Sequence, residues 1–285
     1  LHLNILDRSR FIYFLSYLRK EEVAESKRNG ENPVQKPSNP DLDLASNVQQ
    51  LLFPKGSPAC GWCCVGVKNR MARGLGGDFF DFVTMPDGCQ LVFIGDVTGH
   101  GLHASVVMAL LYGFIHRAVA KTCSPLGTVR EINEFLQTFA VRSKKFDYFF
   151  SATLFFGVID PSTLEMHYVN AGHVEPLVLQ NGRVLALGSS APPIGFFDDP
   201  EIELKSFSFT RGDRVLFFTD GLNEAMNDQG MIYGKKRLAG LLESFSGSHL
   251  ELLDEIFDDL AGFGACNPPV DDCTAIVMDL HGAIA

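Results

Sequence analysis

A chain of 285 residues, 46% hydrophobic and 20% charged, has the apolar content for a globular core. It can hold one large domain, or a domain of roughly 200–250 residues with an appendage. Its formal net charge of −10 argues against a nucleic-acid or anionic-membrane surface, because both need clustered Lys and Arg. Seven scattered cysteines fit reduced thiols in a cytosol better than a disulfide framework.

The chain opens LHLNIL, without Met, and reads as part of a longer protein. Its N-terminal apolar stretch at 11–18 is far shorter than the ~20 residues a spanning helix needs, so this piece is expected neither to insert in a membrane nor to carry a cleavable signal. The location expected is cytoplasmic, with a membrane-anchored parent protein left open. Residues 9–26 predict an amphipathic helix, with Phe11, Phe14, Leu15 and Leu18 at i, i+3, i+4 and i+7. The polar, Pro-bearing stretch 26–41 predicts a linker. A second short helix is predicted over 43–53, stopped by Pro54.

From there the pattern is β-rich. Strands are predicted at 62–69, 78–85, 90–96, 151–160, 165–170, 174–180, 183–187, 202–209, 214–219 and 273–280. Turn signals at 86–88, 160–163, 180–182 and 210–213 join neighbours closely enough to make them antiparallel. Helices are predicted at 101–121, 126–143, 234–245 and 248–262. Hairpins with helices in consecutive pairs indicate an α+β fold rather than alternating βαβ units. The division expected is 1–42 for the helix and linker, a remnant of a regulatory region, and 43–285 for the globular domain.

Four acidic positions share one context. Asp78 in GGDFFDF opens a strand, Asp96 in IGDVTGHG and Asp220 in FFTDGLNEA end strands, and the pair Asp271–Asp272 in DDCTAIVM opens the last one. Singly, each reads as a turn residue or a helix N-cap. Together they are costly carboxylates with few Lys or Arg nearby in sequence. Carboxylates converging beside glycines suit a hard cation such as Mg²⁺ or Mn²⁺, and two such ions can activate a shared water toward phosphorus.

The ordered set 45–54 (ASNVQQLLFP), 77–82, 94–101, 151–160, 170–179 (NAGHVEPLVL), 211–227 and 271–278 resembles SpoIIE/RsbU-type phosphatases, the bacterial branch of the metal-dependent PPM serine/threonine phosphatases related to protein phosphatase 2C. The resemblance covers roughly 43–280. It implies a two-sheet antiparallel β-sandwich flanked by helices, with two Mn²⁺ or Mg²⁺ ions at one edge. It implies catalytic Asp96 and Asp78, with Asp96 bridging both ions and a metal-bridging water or hydroxide as the nucleophile. The Val97 carbonyl would complete one of the two shells, Asp78 would serve the first metal, and Asp220 and Asp271 the second, with Asp272 the competing choice for Asp271. His100, Arg73 and Asp272 are candidates to contact phosphate or to support the ligands. The implied substrate is a phosphoserine or phosphothreonine on a STAS-type anti-anti-sigma factor, in a sigma-factor pathway. A homodimer through the N-terminal helices is also expected. The competing reading is a catalytically weak module of the same fold that holds a regulatory partner without turnover.

Other signals are weaker. Cys64 and Arg70 fit the C-x5-R spacing of cysteine-dependent phosphatases, but the segment alternates like a strand and is read as a chance match. His173 is read as a residue bonded within a β-turn. Thr98, rather than Asp96, is expected to cap the helix from 101.

Overall fold

The computed structural model describes residues 40–54, 61–72, 74–120, 124–143, 150–265 and 269–282. The predicted helix 9–26 and most of the predicted linker lie outside them. Residues Pro40–Ala285 form one compact unit.

In chain order the elements are α1 (Pro40–Leu52), β1 (Cys63–Arg70), β2 (Asp78–Thr84), β3 (Gln90–Val97), α2 (Leu102–Val119), α3 (Pro125–Ser143), β4 (Ala152–Asp160), β5 (Glu165–Ala171), β6 (Leu177–Gln180), β7 (Arg183–Ala186), β8 (Lys205–Ser208), β9 (Arg214–Phe218), α4 (Asp220–Asn223), α5 (Lys235–Ser244), α6 (His249–Gly262) and β10 (Cys273–Leu280). The ten predicted strands are all present. The single-turn helix α4 was not anticipated, and α1 starts at Pro40, where the first turn needs no amide donor from a proline.

The strands form two antiparallel five-stranded sheets, β1-β10-β9-β6-β7 and β2-β3-β4-β5-β8. Turn chemistry fixes the register. Between β6 and β7, Asn181 and Gly182 have φ of 50° and 71°, the left-handed pair that a two-residue hairpin requires. On β3 the even positions face the sandwich interior, while Phe93 faces outward onto Tyr112 and His116 of α2. Phe155 of β4 meets Phe217 of β9 across the interior with ring centroids 5.4 Å apart, so the inner core is aromatic.

Helices cover both outer faces. Helices α2 and α3 pack on the β2–β5 sheet, and α5 and α6 on the other. Helix α2 is the one described helix long and apolar enough to cross a membrane by composition. Here Met108, Leu111 and Ile115 are fully buried, with the helix packed on β2 and β3, as a core helix would be. A second apolar core, with Leu216, Phe218, Leu252, Ile256 and Phe257, fills the space under α5 and α6.

Two expectations are corrected. Thr98 does not cap α2: its hydroxyl shares a 2.7 Å hydrogen bond with Ser151, and the N-cap position is Gly101, with no side-chain cap. Cys63 is disulfide-bonded, so the reading of the cysteines as thiols holds for Cys64, Cys89 and Cys273 but not for it.

Candidate metal centre

The pairing of β2 with β3 sets Asp78 directly opposite Asp96. Side chains paired across antiparallel strands share a face, so both carboxylates point between the sheets at one end of the sandwich. From the other sheet, β9 and β10 bring Thr219 and Thr274 to the same place. Both hydroxyls donate to Asp78 Oδ2, at 2.8 and 2.6 Å. Asn69 Nδ2 donates to Thr274 Oγ1 at 2.7 Å and steadies it from β1. Asp78 thus joins the two sheets. Asp220, half-buried, opens α4 immediately after Thr219.

The two residues of the Asp271–Asp272 pair differ in their bonding. Asp272 is buried, and its oxygens accept from the backbone amides of Ala72 (2.8 Å) and Gly77 (2.9 Å). Asp271 is half-buried, and its Oδ1 accepts from the Asp272 amide at 3.0 Å. Asp272 therefore holds the 72–77 loop against the start of β10. Helix α1 grips the same loop from the other side. Gln49 Nε2 donates to the Gly76 carbonyl at 2.8 Å and its Oε1 accepts from the Gly76 amide at 3.1 Å.

The glycines of the two motifs are there for space. A Cβ on Gly77 would lie 2.8 Å from Asp96 Oδ1 and 2.9 Å from the Val97 carbonyl, and one on Gly221 would lie 2.0 Å from the Asp272 carbonyl. Any side chain at these positions would push the carboxylate-bearing segments apart.

The electrostatics are one-sided. Burial holds the Asp96 carboxyl well above its ordinary pKa, and Asp220, Asp78, Asp271 and Asp272 push it further. Asp78 is raised chiefly by burial and by Asp272, against the pull of the Thr274 and Thr219 hydroxyls. Burial also raises Asp272, while the Ala72 and Gly77 amides oppose it. Among the described residues no basic side chain figures in the largest influences on Asp78 or Asp96. Carboxylates with raised pKa values bind more protons in the native state than in the unfolded one. Their contribution to stability therefore falls as pH rises from the unfolded pKa through the folded one. At neutral pH a bound cation would remove that penalty. The donor set, all oxygen, fits Mg²⁺ or Mn²⁺. Among the described residues no group of three or more His, Cys, Asp or Glu side chains stands close enough together to hold a metal ion as placed.

Other candidate residues fall as follows. Val97 is fully buried at the end of β3. His100 is exposed in the short loop before α2, and Arg73 lies outside the described residues. Cys64 and Arg70 both lie along β1, an extended strand that forms no phosphate cradle. Sequence motifs alone leave Gln49 and Thr219 without a role, although Thr219 is a hydroxyl residue directly beside Asp220, a placement that could flag it.

Two antiparallel sheets flanked by helices are the fold of protein phosphatase 2C-type domains. The fold matches the PP2C domain of SiaA from Pseudomonas aeruginosa with a TM-score of 0.70 at 18% identity, covering 86% of this chain and 96% of that one. It also matches the PP2C phosphatase domain with a regulatory-domain fragment of SpoIIE from Bacillus subtilis, with a TM-score of 0.64 at 17% identity, covering 76% of this chain and 63% of that one. Residues 86–281 match the family described as Stage II sporulation protein E (SpoIIE), and the chain belongs to it. It is 27% identical over 296 residues to Protein IcfG of Synechocystis sp., covering 94% of this chain and 45% of IcfG. It is 29% identical over 150 residues to phosphoserine phosphatase RsbP of Bacillus subtilis, covering 52% of this chain and 36% of RsbP. The chain thus spans less than half the length of these two relatives.

Proposed function

We propose that this domain is a Mn²⁺- or Mg²⁺-dependent protein phosphatase acting on phosphoserine or phosphothreonine in a regulatory partner protein. The observation that carries the reading is the cross-strand pair Asp78–Asp96, pressed by Asp220, Asp271 and Asp272, with no basic side chain of the described residues among the largest influences on either. When bound, two divalent cations supply a water that deprotonates near neutral pH and is aimed at phosphorus. Asp96 would serve both ions. Asp78 and the Val97 carbonyl would hold the first, and Asp220 and Asp271 the second. Asp271 is preferred to Asp272 because the oxygens of Asp272 accept from Ala72 and Gly77. His100, exposed beside the site, is a candidate to contact the phosphoryl group, as is Arg73.

A relative named as a phosphoserine phosphatase, RsbP, supports the phosphoamino-acid substrate. On the same reading the substrate protein is of the STAS type, in sigma-factor regulation. Residues 1–42 are read as belonging to a regulatory region through which two copies pair, and the domain as working in the cytoplasm.

The test is hydrolysis of p-nitrophenyl phosphate with Mn²⁺ present. Chelator should abolish it, and Asp96→Asn should lower turnover by roughly 100-fold or more while circular dichroism reports an intact fold. Wild-type turnover by Asp96→Asn would overturn the mechanism. Tight partner binding with no turnover in Mn²⁺ would favour the binding-module reading.

A further inference from the structure

Cys64 builds no phosphate cradle, yet its thiol faces a histidine. It is free and half-buried, whereas Cys63, next in sequence, is disulfide-bonded and 1% exposed. Side chains alternate between the faces of a strand, so Cys64 shares the outer face of β1 with Gly66. That face lies under the start of α6: a Cβ on Gly66 would lie 2.8 Å from Leu250 Cδ2 and 3.0 Å from His249 Cδ2.

Cys64 pairs with Asp279 of β10. Just past the last strand pair, the His281 amide donates to the Trp62 carbonyl at 2.7 Å. This sets His281 diagonally across from Cys64 on the same face, a separation that long side chains span. Its Nε2 lies 3.1 Å from Cys64 Sγ, at an exposed position. A nucleophile and a base within this reach can pass a proton between them.

The neighbouring charges do not oppose a thiolate. Asp279 would repel one, but Arg214 of β9 holds that carboxylate at both oxygens, from Nε at 2.5 Å and Nη2 at 2.8 Å. His249 Nδ1 stands 3.8 Å from the same carboxylate. Cys64, Asp279 and Arg214 thus form one row across three strands, with a histidine on either side. Thiolates are favoured beside Arg and His. The other free thiols among the described residues differ: Cys273 is 2% exposed, and Cys89 is half-buried in a turn with Asp87. At its other end β1 meets Cys273, next to Asp272. Cys64 is six residues back from there, about 20 Å along an extended strand.

We propose that Cys64 and His281 form a thiol-exchange site, remote from the carboxylate cluster, that takes a low-molecular-weight disulfide. A thiol half-covered by its neighbours admits a small reagent more readily than a protein disulfide. His281 Nε2 accepts the Cys64 proton as the sulfur attacks one sulfur of R–S–S–R. The Cys64–S–S–R bond forms, the S–S bond of the reagent breaks, and the departing R–S⁻ takes up the proton. Cys64 is oxidised to a mixed disulfide and the released half is reduced to a thiol.

The experiment treats the full chain with glutathione disulfide, quenches samples with acid over time, and maps the modified cysteines by peptide mass spectrometry. Cys64 should gain glutathione at least about 10-fold faster than Cys89, the modest end of what a positioned base contributes. His281→Gln keeps a hydrogen-bonding side chain and removes the base. It should slow Cys64 by about 10-fold while leaving Cys89 and the melting temperature unchanged. Equal rates at Cys64 and Cys89 in the wild type would overturn the proposal. So would a His281→Gln rate at Cys64 that matches or exceeds wild type, because a histidine that merely shields the thiol speeds its reaction when replaced. Should His281→Gln fail to fold, the wild-type ratio of Cys64 to Cys89 decides.

Discussion

Helices α1 and α6 have 13 and 14 residues and are held by opposite means. Helix α6 begins with a full capping box, Ser248 with Glu251, and buries Leu252, Leu253, Ile256, Phe257 and Leu260 against its sheet. Helix α1 buries a single residue, and that residue is polar: Gln49, clamped to both backbone groups of Gly76. Its C-terminal end is tied by the Tyr112 hydroxyl, 2.5 Å from the Leu52 carbonyl, and by Phe53 stacked on Phe80. One helix supplies stability through apolar burial. The other supplies little of that and fixes the loop that leads into Asp78. Stability and site geometry are therefore separable in this domain.

The largest effect is expected from Phe257→Ala in α6. Its ring is fully buried, with Lys68 and Arg70 also over it at 5.1 and 4.8 Å from the centroid. Truncating such a ring costs about 3–5 kcal/mol, or roughly 10 °C in melting temperature for a unit of this size. Catalytic activity per folded molecule should be unchanged at a temperature well below the melt. A loss of activity matching that of Asp96→Asn would show that the two cores are not independent.

The same contrast explains what could be read from the sequence. Helix α6 and the strands were legible because apolar period and turn residues sit in the segment itself, as in the Asn181–Gly182 hairpin. The ends of β6 and β8 were overdrawn. Leu177 is the first residue of β6 because His173–Pro176 are taken up by the turn built on Asn170. Strand β8 pairs with β5 over only four residues at a sheet edge. Helix α4 is too short to show a 3.6-residue period. Of the site, the acidic strand ends were legible as candidates because each carries its own glycine or turn context. Gln49 and Thr219 were not, since what they do depends on partners brought close by the fold: Gly76 in one case, Asp78 in the other.

An intermediate effect on stability, with a large one on the site, is expected from Gln49→Leu. Leucine fills the same space but leaves the Gly76 amide and carbonyl without their partner, at a cost of about 1–3 kcal/mol. Among the described residues the loop then keeps the Asp272 contacts, the Val97 amide, which donates to the Gly77 carbonyl at 3.3 Å, and the Ser46 hydroxyl, which donates to the Gly74 carbonyl at 2.6 Å. Mn²⁺ affinity should drop by about 10-fold, by analogy with residues that orient metal ligands. Calorimetry measures this directly. Wild-type affinity in this variant would mean that α1 does not set the loop, and the division of labour between the helices would fail.

The smallest effect is expected on the outer face of α1. Leu44, Val48 and Leu51 follow one another at i, i+4 and i+7, a spacing that places them on one side of the helix, and they are 63%, 53% and 65% exposed. A side chain that gains little burial on folding contributes little to stability, and surface substitutions usually stay within about 0.5 kcal/mol. Leu44→Ser should therefore leave the urea midpoint of the isolated domain nearly unmoved. Mn²⁺ affinity should also stay constant, because Leu44 touches neither Gly76 nor Gly74 through any hydrogen bond. A loss of more than about 1 kcal/mol would exceed what an exposed leucine can contribute. It would show that this row is covered in solution, and that α1 is held by apolar burial after all, as α6 is.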